Sequence, residues 1–153
     1  MRVHYAFKGG SVREMELVIG QYSCTDNLYM ALRSLDGTIE VPLTVNIEKL
    51  GYPYSTLDLN NCSWAADFME THGIARPIGQ SIPSGFCSYP VFAFNTGVLK
   101  EIDPKAFSAY QEAHGFLSEK EIDELAKEAK DRAAEKNAQR PPTGKGKDTD
   151  LER

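Results

Sequence analysis

Asn60-Asn61-Cys62-Ser63-Trp64-Ala65-Ala66-Asp67-Phe68-Met69-Glu70-Thr71-His72-Gly73 is the stretch in which the chain changes period. Ahead of it, apolar residues fall on every second position. Inside it, Trp64, Ala65, Phe68, Met69 and His72 recur at i, i+1, i+4, i+5 and i+8, which draws one apolar stripe along a helix. Asn60 or Asn61 can cap that helix by accepting backbone N–H bonds, and Gly73 can end it in a left-handed turn. The spacing predicts a helix over residues 61–72 laid across the buried face of a sheet, an α+β arrangement.

Working outward toward the N-terminus, the pattern is β. Val3, Tyr5 and Phe7 alternate with His4, Ala6 and Lys8; Met15, Leu17 and Ile19 with Glu16 and Val18; Leu28, Met30 and Leu32 with Tyr29, Ala31 and Arg33. The cleanest run sets Ile39, Val41, Leu43, Val45 and Ile47 against Glu40, Pro42, Thr44, Asn46 and Glu48. Alternation of this kind predicts an antiparallel sheet, here of about five strands, covered on one face. Asp36-Gly37 reads as a hairpin turn, and Pro42, which has no N–H to donate, places its strand at an edge or itself at the strand's outward side. Ser55 to Leu59 supplies a further short strand.

Toward the C-terminus, residues 73–86 contain Pro77, Gly79, Pro83 and Gly85 and read as a long loop, a kind of segment that often carries function. Ser88 to Asn95 reads as a strand with apolar residues on both faces, hence central. Asp103-Pro104 opens a helix over 104–114, with aspartate as cap and proline in the first turn. Ser118-Glu119-Lys120-Glu121 is a capping box that starts a charged helix over 118–136. From Asn137 the chain has too little apolar content to order itself and reads as a disordered tail. The expected organisation is a compact domain over 1–117, a weakly docked helix over 118–136 and a tail over 137–153.

Composition narrows the function classes. The 153 residues fit one domain, and 41% hydrophobic content with a mean hydropathy of -0.41 fits a soluble protein. No apolar run is long enough to span a membrane, and Met1-Arg2-Val3-His4-Tyr5-Ala6-Phe7-Lys8 lacks the apolar core of a signal peptide. Three cysteines cannot all pair within the chain, so the expectation is a cytoplasmic protein with reduced thiols. Residues 1–117 carry 8 Lys and Arg against 12 Asp and Glu, a net -4. That charge gives no footprint for gripping phosphates, so nucleic acid is not indicated as a partner.

No specific catalytic motif is present. Cys62, in the first turn of its expected helix, would favour a thiolate, but a nucleophile needs a base within hydrogen-bond reach. His72 lies ten residues on, roughly 15 Å along a helix axis, so the ordinary reading of Cys62 is a small buried side chain. Ser84-Gly85-Phe86-Cys87 is not a nucleophile elbow, and Gly9-Gly10-Ser11 is not a phosphate loop. The cysteines and histidines lack metal-ligand spacing. No catalytic residue, metal or cofactor is therefore assigned.

Asn60-Asn61-Cys62-Ser63-Trp64-Ala65-Ala66-Asp67-Phe68, Gly73 and Ser84-Gly85-Phe86-Cys87-Ser88-Tyr89-Pro90-Val91-Phe92-Ala93-Phe94, preceded by Asn27-Leu28-Tyr29 and Leu43-Thr44-Val45-Asn46, together resemble a family of small uncharacterised bacterial proteins. That family is catalogued as a domain of unknown function and is often encoded on plasmids and conjugative elements. The resemblance covers residues 14–100 and brings no catalytic residues. It implies an accessory protein of a mobile element, a class that commonly counters host defence by binding a nuclease. The expected function is a non-enzymatic protein-binding module of the anti-restriction or anti-CRISPR type, with a host nuclease as partner. Its expected binding residues are Arg76, Gln80, Ser84, Phe86 and Tyr89 in and beside the 73–86 loop, with Trp64, which reads as core first. The alternatives are a thiol-dependent enzyme using Cys62 or Cys87, and a DNA-associated factor using the basic residues of the tail.

Overall fold

Two antiparallel sheets come from the alternating first half and the Ser55 and Ser88 strands. The computed structural model describes residues 1–139. The first sheet has the order β1 (Arg2–Ala6), β2 (Val12–Gln21), β3 (Leu28–Ser34), β4 (Glu40–Pro42). The second is ordered β5 (Thr44–Val45), β6 (Tyr54–Leu57), β8 (Cys87–Phe94), β7 (Ala75–Ser84). The α+β class holds, with the strands divided four and four in place of one sheet of about five.

Leu43 is the reason for the division. Its N–H donates to the Met30 carbonyl at 2.9 Å, in the first sheet, and its own carbonyl accepts from the Asp58 N–H at 2.9 Å, in the second. The continuous alternation from Ile39 to Ile47 therefore belongs to two strands that change sheets at one residue. Thr44 seals the corner, its hydroxyl accepting from the Met30 N–H at 3.1 Å and bonding the Tyr22 hydroxyl at 3.0 Å. Pro42 does sit on an edge strand, and β8 is central, as its two apolar faces predict.

The core lies where the inward faces of both sheets meet the helices. Met15, Leu17 and Ile19 of β2, Leu28, Met30 and Leu32 of β3, and Phe92 and Phe94 of β8 are buried. Each such side chain contributes roughly 1.5–3 kcal/mol of transfer free energy. On the outer face of the first sheet, Arg2 stands opposite Glu16, Glu16 opposite Arg33, and Arg33 opposite Glu40, a row of alternating charge across all four strands. Arg33 and Glu40 pair at 2.9 Å, and the Tyr29 hydroxyl donates to the other Glu40 oxygen.

Helix α1 covers Ala65–Thr71, shorter than the expected 61–72. Asp58 moves its start. The Asp58 carboxylate accepts from the Asn61 N–H at 3.3 Å and the Asn61 side-chain amide at 2.8 Å, closing a turn ahead of the helix. Asn61 is thus a donor rather than a cap, and Trp64 takes the N-cap position with no side-chain cap bond. Gly73 does follow the helix in the left-handed region, at φ 65°.

The expected 73–86 loop is instead mostly strand β7. Pro77, Gly79 and Pro83 hide the alternation, yet an edge strand tolerates prolines, and the ladder to β8 absorbs the irregularity as a register shift between Pro77 and Ser81. After β8, α2 (Thr96–Ile102) was not expected. Asn95 caps it, its side-chain oxygen accepting from the Gly97 and Val98 N–H groups. Helix α3 (Pro104–Ala113) matches its prediction, with the Asp103 carboxylate accepting from the Ala106 N–H at 3.0 Å.

The chain divides into two units, Met1–Phe116 and one beginning at Leu117. Within the second, α4 spans Glu119–Gln139. Its capping box forms, with Ser118 Oγ accepting from the Glu121 N–H at 3.2 Å and Glu121 accepting from the Ser118 N–H at 3.1 Å. The expected tail begins at Asn137, but α4 continues through Gln139; residues 140–153 lie outside the described residues.

Candidate functional site

The register of β8 builds the feature that stands out on the first unit. Phe94 donates its N–H to the Pro53 carbonyl at 3.0 Å, on the β6 side, while Asn95 donates to the Ile74 carbonyl at 2.7 Å, on the β7 side. Backbone groups of a strand alternate in direction, so Phe92 and Phe94 face β6, whereas Val91 and Ala93 face β7. The next residue required to face β6 is Pro90, which has no N–H to give. The β6–β8 ladder ends there, its last pair being Thr56 and Val91.

The β7–β8 ladder goes on without β6. Ser81 pairs with Pro90, Ile82 with Tyr89, Pro83 with Ser88 and Ser84 with Cys87, closed by Gly85 and Phe86. Gly85 takes the positive φ of 62° that the two-residue turn requires. Residues 81–90 are thus a two-stranded arm running beyond the second sheet. An isolated hairpin is marginal in water, and this one carries the Phe86 ring at its tip with a relative exposure of 111%. Keeping that ring in water forgoes roughly 1.5–3 kcal/mol of burial.

Four of the expected binding residues fall on this arm or its strand, on a common face or at the tip. Ser84 and Tyr89 lie on one face, and Arg76, paired with Ala93, belongs to the same face of the sheet. Phe86 is the tip. Gln80 is exposed within the register shift. Trp64 is elsewhere: it packs on Tyr5 with ring centroids 5.2 Å apart and on Phe68 at 5.7 Å, beside β1 and α1. Residues that the sequence reading missed are Ile82, opposite Tyr89, and Pro90, whose place in the middle of an apolar strand was the available signal. At the other end of β7 and β8, away from the arm, Tyr54, Glu70, Arg76 and Phe94 line an open cleft of about 580 Å³.

The thiols and imidazoles do not converge. Cys62 precedes α1 instead of starting it, is buried, and its Sγ donates to the Pro42 carbonyl at 3.5 Å. Burial, with the nearby Asp58 charge, pushes its pKa up, which disfavours the nucleophilic thiolate. Cys24 and Cys87 are exposed. His72 packs against Phe68 with ring centroids 4.7 Å apart, and His114 Nε2 lies 2.6 Å from the Asp26 carbonyl oxygen. Among the described residues no three His, Cys, Asp or Glu side chains are grouped to hold a metal, and no helix is long and apolar enough to cross a membrane.

A family model described as a domain of unknown function, DUF4313, matches residues 16–114. The chain belongs to the DUF4313 family. No curated protein and no solved structure matches it. The DUF4313 match runs from β2 to the end of α3, so the arm, the cleft at the far end of its strands and the Leu43 corner all belong to the family domain, whereas β1 and α4 lie outside it.

Proposed function

We propose that this DUF4313 protein is a non-enzymatic protein-binding module that uses the β7–β8 arm as its contact surface. We further propose that it acts in the cytoplasm for a bacterial mobile element, inhibiting a host defence nuclease in the anti-restriction or anti-CRISPR manner. The observation that carries the reading is the arm itself, a two-stranded projection that keeps Phe86 fully in water. Large exposed aromatics are enriched where proteins meet. The nuclease is suggested by small size, a net charge of -5 and the resemblance to plasmid-borne proteins. A thiol reaction at Cys62 is the weaker reading, because burial holds that thiol protonated.

The test is DNA cleavage by purified restriction and CRISPR nucleases in the presence of the full chain or its Phe86→Ser variant. The expected result is inhibition by the wild type, weakened at least about tenfold by the substitution, as for loss of a central aromatic anchor. Cleavage that neither protein slows would dispose of the nuclease, and inhibition indifferent to Phe86 would dispose of the arm.

A further inference from the structure

We infer that the arm meets its partner by placing the Phe86 side chain in an apolar pocket on a protein, with both strand edges closed to main-chain pairing. The inference rests on the arm being the contact surface proposed above, and concerns how that surface works.

A two-stranded arm ordinarily offers two open edges, each a row of free N–H and C=O groups that invites another strand. The register shows how this arm avoids that. Because Val91 and Ala93 face β7 while Phe92 faces β6, Phe92 and Pro77 form a pair without mutual hydrogen bonds, and the Pro77 nitrogen points to the outer edge of β7. Beyond the register shift, the tight turn makes Ser84 and Cys87 a bonded pair, so Ile82 and Tyr89 also bond mutually. Pro83 and Ser81 then direct their nitrogens outward on β7, and Ser88 and Pro90 outward on β8. Of the two outward positions on each strand of the arm, one is proline. Ser81 and Ser88 are left as single donors, too few for a ladder.

Proline at the outward position is the placement a paired strand accepts without loss of its own bonds. It is also one of the devices by which edge strands avoid edge-to-edge association. What remains for recognition is side chains. Between Ala75 and Asn95 the only charged residue is Arg76, which lies on β7 outside the arm. The arm therefore has no cationic cluster for a phosphate surface and no carboxylate to repel an acidic one. Its complement is an uncharged pocket sized for one aromatic ring.

The experiment uses the full chain, its Pro77→Thr/Pro83→Thr variant, and as strand probe a synthetic peptide of residues 87–94 carrying Cys87→Ser. Sedimentation equilibrium and fluorescence anisotropy read self-association and peptide binding. Circular dichroism checks folding, and the single Pro83→Thr variant replaces the double one should the latter unfold. The wild type is expected to bind no peptide, and the variant to gain peptide binding or self-association by at least about tenfold. Peptide binding by the wild type, or a variant indistinguishable from it, overturns the closed edges while leaving the arm as contact surface. Flotation with phosphatidylcholine vesicles is the second measurement. Vesicle binding that the Phe86→Ser variant loses would assign the tip to a lipid surface and overturn the protein pocket; no binding by either supports it.

Discussion

The side chain of Asn27 holds the backbone of Leu50, its Oδ1 accepting the Leu50 N–H at 2.8 Å. The same carboxamide donates through Nδ2 to the Glu48 carbonyl at 2.7 Å and to Asn46 Oδ1 at 3.3 Å. Asn27 is 1% exposed, so one buried side chain, fully partnered, secures the segment that carries the chain from β5 toward β6. The adjoining residue, Asp26, has φ 59° and presents its carbonyl to His114 at the end of α3. The turn between β2 and β3 thereby ties both sheets to a helix. Replacing Asn27 by Ala strands a buried donor and acceptor and is expected to destabilise the fold by about 2–3 kcal/mol. Urea unfolding should show a lower midpoint at unchanged slope; a midpoint within error of the wild type would show that the clamp contributes nothing.

Thiol reactivity should separate the three cysteines. Cys24 and Cys87 are exposed, whereas Cys62 is 3% exposed with its pKa raised by burial. In native protein at neutral pH, an aromatic disulfide reagent should modify two thiols quickly and the third only on the timescale of opening or unfolding. Mass mapping that places Cys62 among the fast sites would contradict the packing described for it.

Much of the fold is written locally and some of it is not. The Asp103-Pro104 cap, the Ser118–Glu121 box and the Gly73 stop each act within one turn of chain, and each appears where its residues predict. Helix α1 starts later than its apolar stripe predicts because Asp58 competes for Asn61 from outside that stripe. Strand β7 was hidden for a different reason: Pro77, Gly79 and Pro83 carry no alternation, and their strand exists only because β8, later in the chain, pairs with them. The change of sheet at Leu43 leaves no mark on the alternation at all. For the candidate site, Arg76, Ser84, Phe86 and Tyr89 are gathered on a strand and its tip, a grouping that depends on the hairpin register. Trp64 is drawn off by Tyr5, over fifty residues earlier, which local spacing cannot reveal.

Asp36 should set an acid limit on the β3–β4 turn. Its carboxylate accepts from the Ser34 hydroxyl at 2.7 Å, the Thr38 N–H at 3.0 Å and the Thr38 hydroxyl at 2.8 Å. These bonds, Ser34 foremost, lower its pKa from 3.8 to about 2. A carboxylate with a depressed folded pKa stabilises the native state above its unfolded value and loses that contribution as pH falls through the folded one. The turn should therefore hold above pH about 4 and loosen progressively toward pH about 2. Carbon-detected titration of Asp36 is the measurement, and a midpoint near 3.8 would mean that the three bonds do not persist in solution.

Tyr110 offers the opposite kind of test, a polar group that stabilises nothing. The residue is 0% exposed, and its hydroxyl finds no hydrogen-bond partner among the described residues. The ring is well held, 5.3 Å from Tyr52 and 4.7 Å from His114 between centroids. Burial, aided by Tyr52, raises the hydroxyl pKa above its usual 10.0. Tyr110→Phe keeps the ring and removes an unpaired buried group, so stability should be unchanged or higher by about 1–2 kcal/mol. Tyr110→Ala, which also empties the ring's volume, should cost about 3–5 kcal/mol. The raised pKa adds a signature in alkali. Below the unfolded value the neutral hydroxyl is tolerated, but above pH about 10 the unfolded state ionises first and gains stability. The Phe variant should therefore lose less stability than the wild type between pH 9 and 11, on either side of the usual 10.0. Equal losses in both proteins, or a Phe variant clearly less stable at neutral pH, would show that the hydroxyl has a partner.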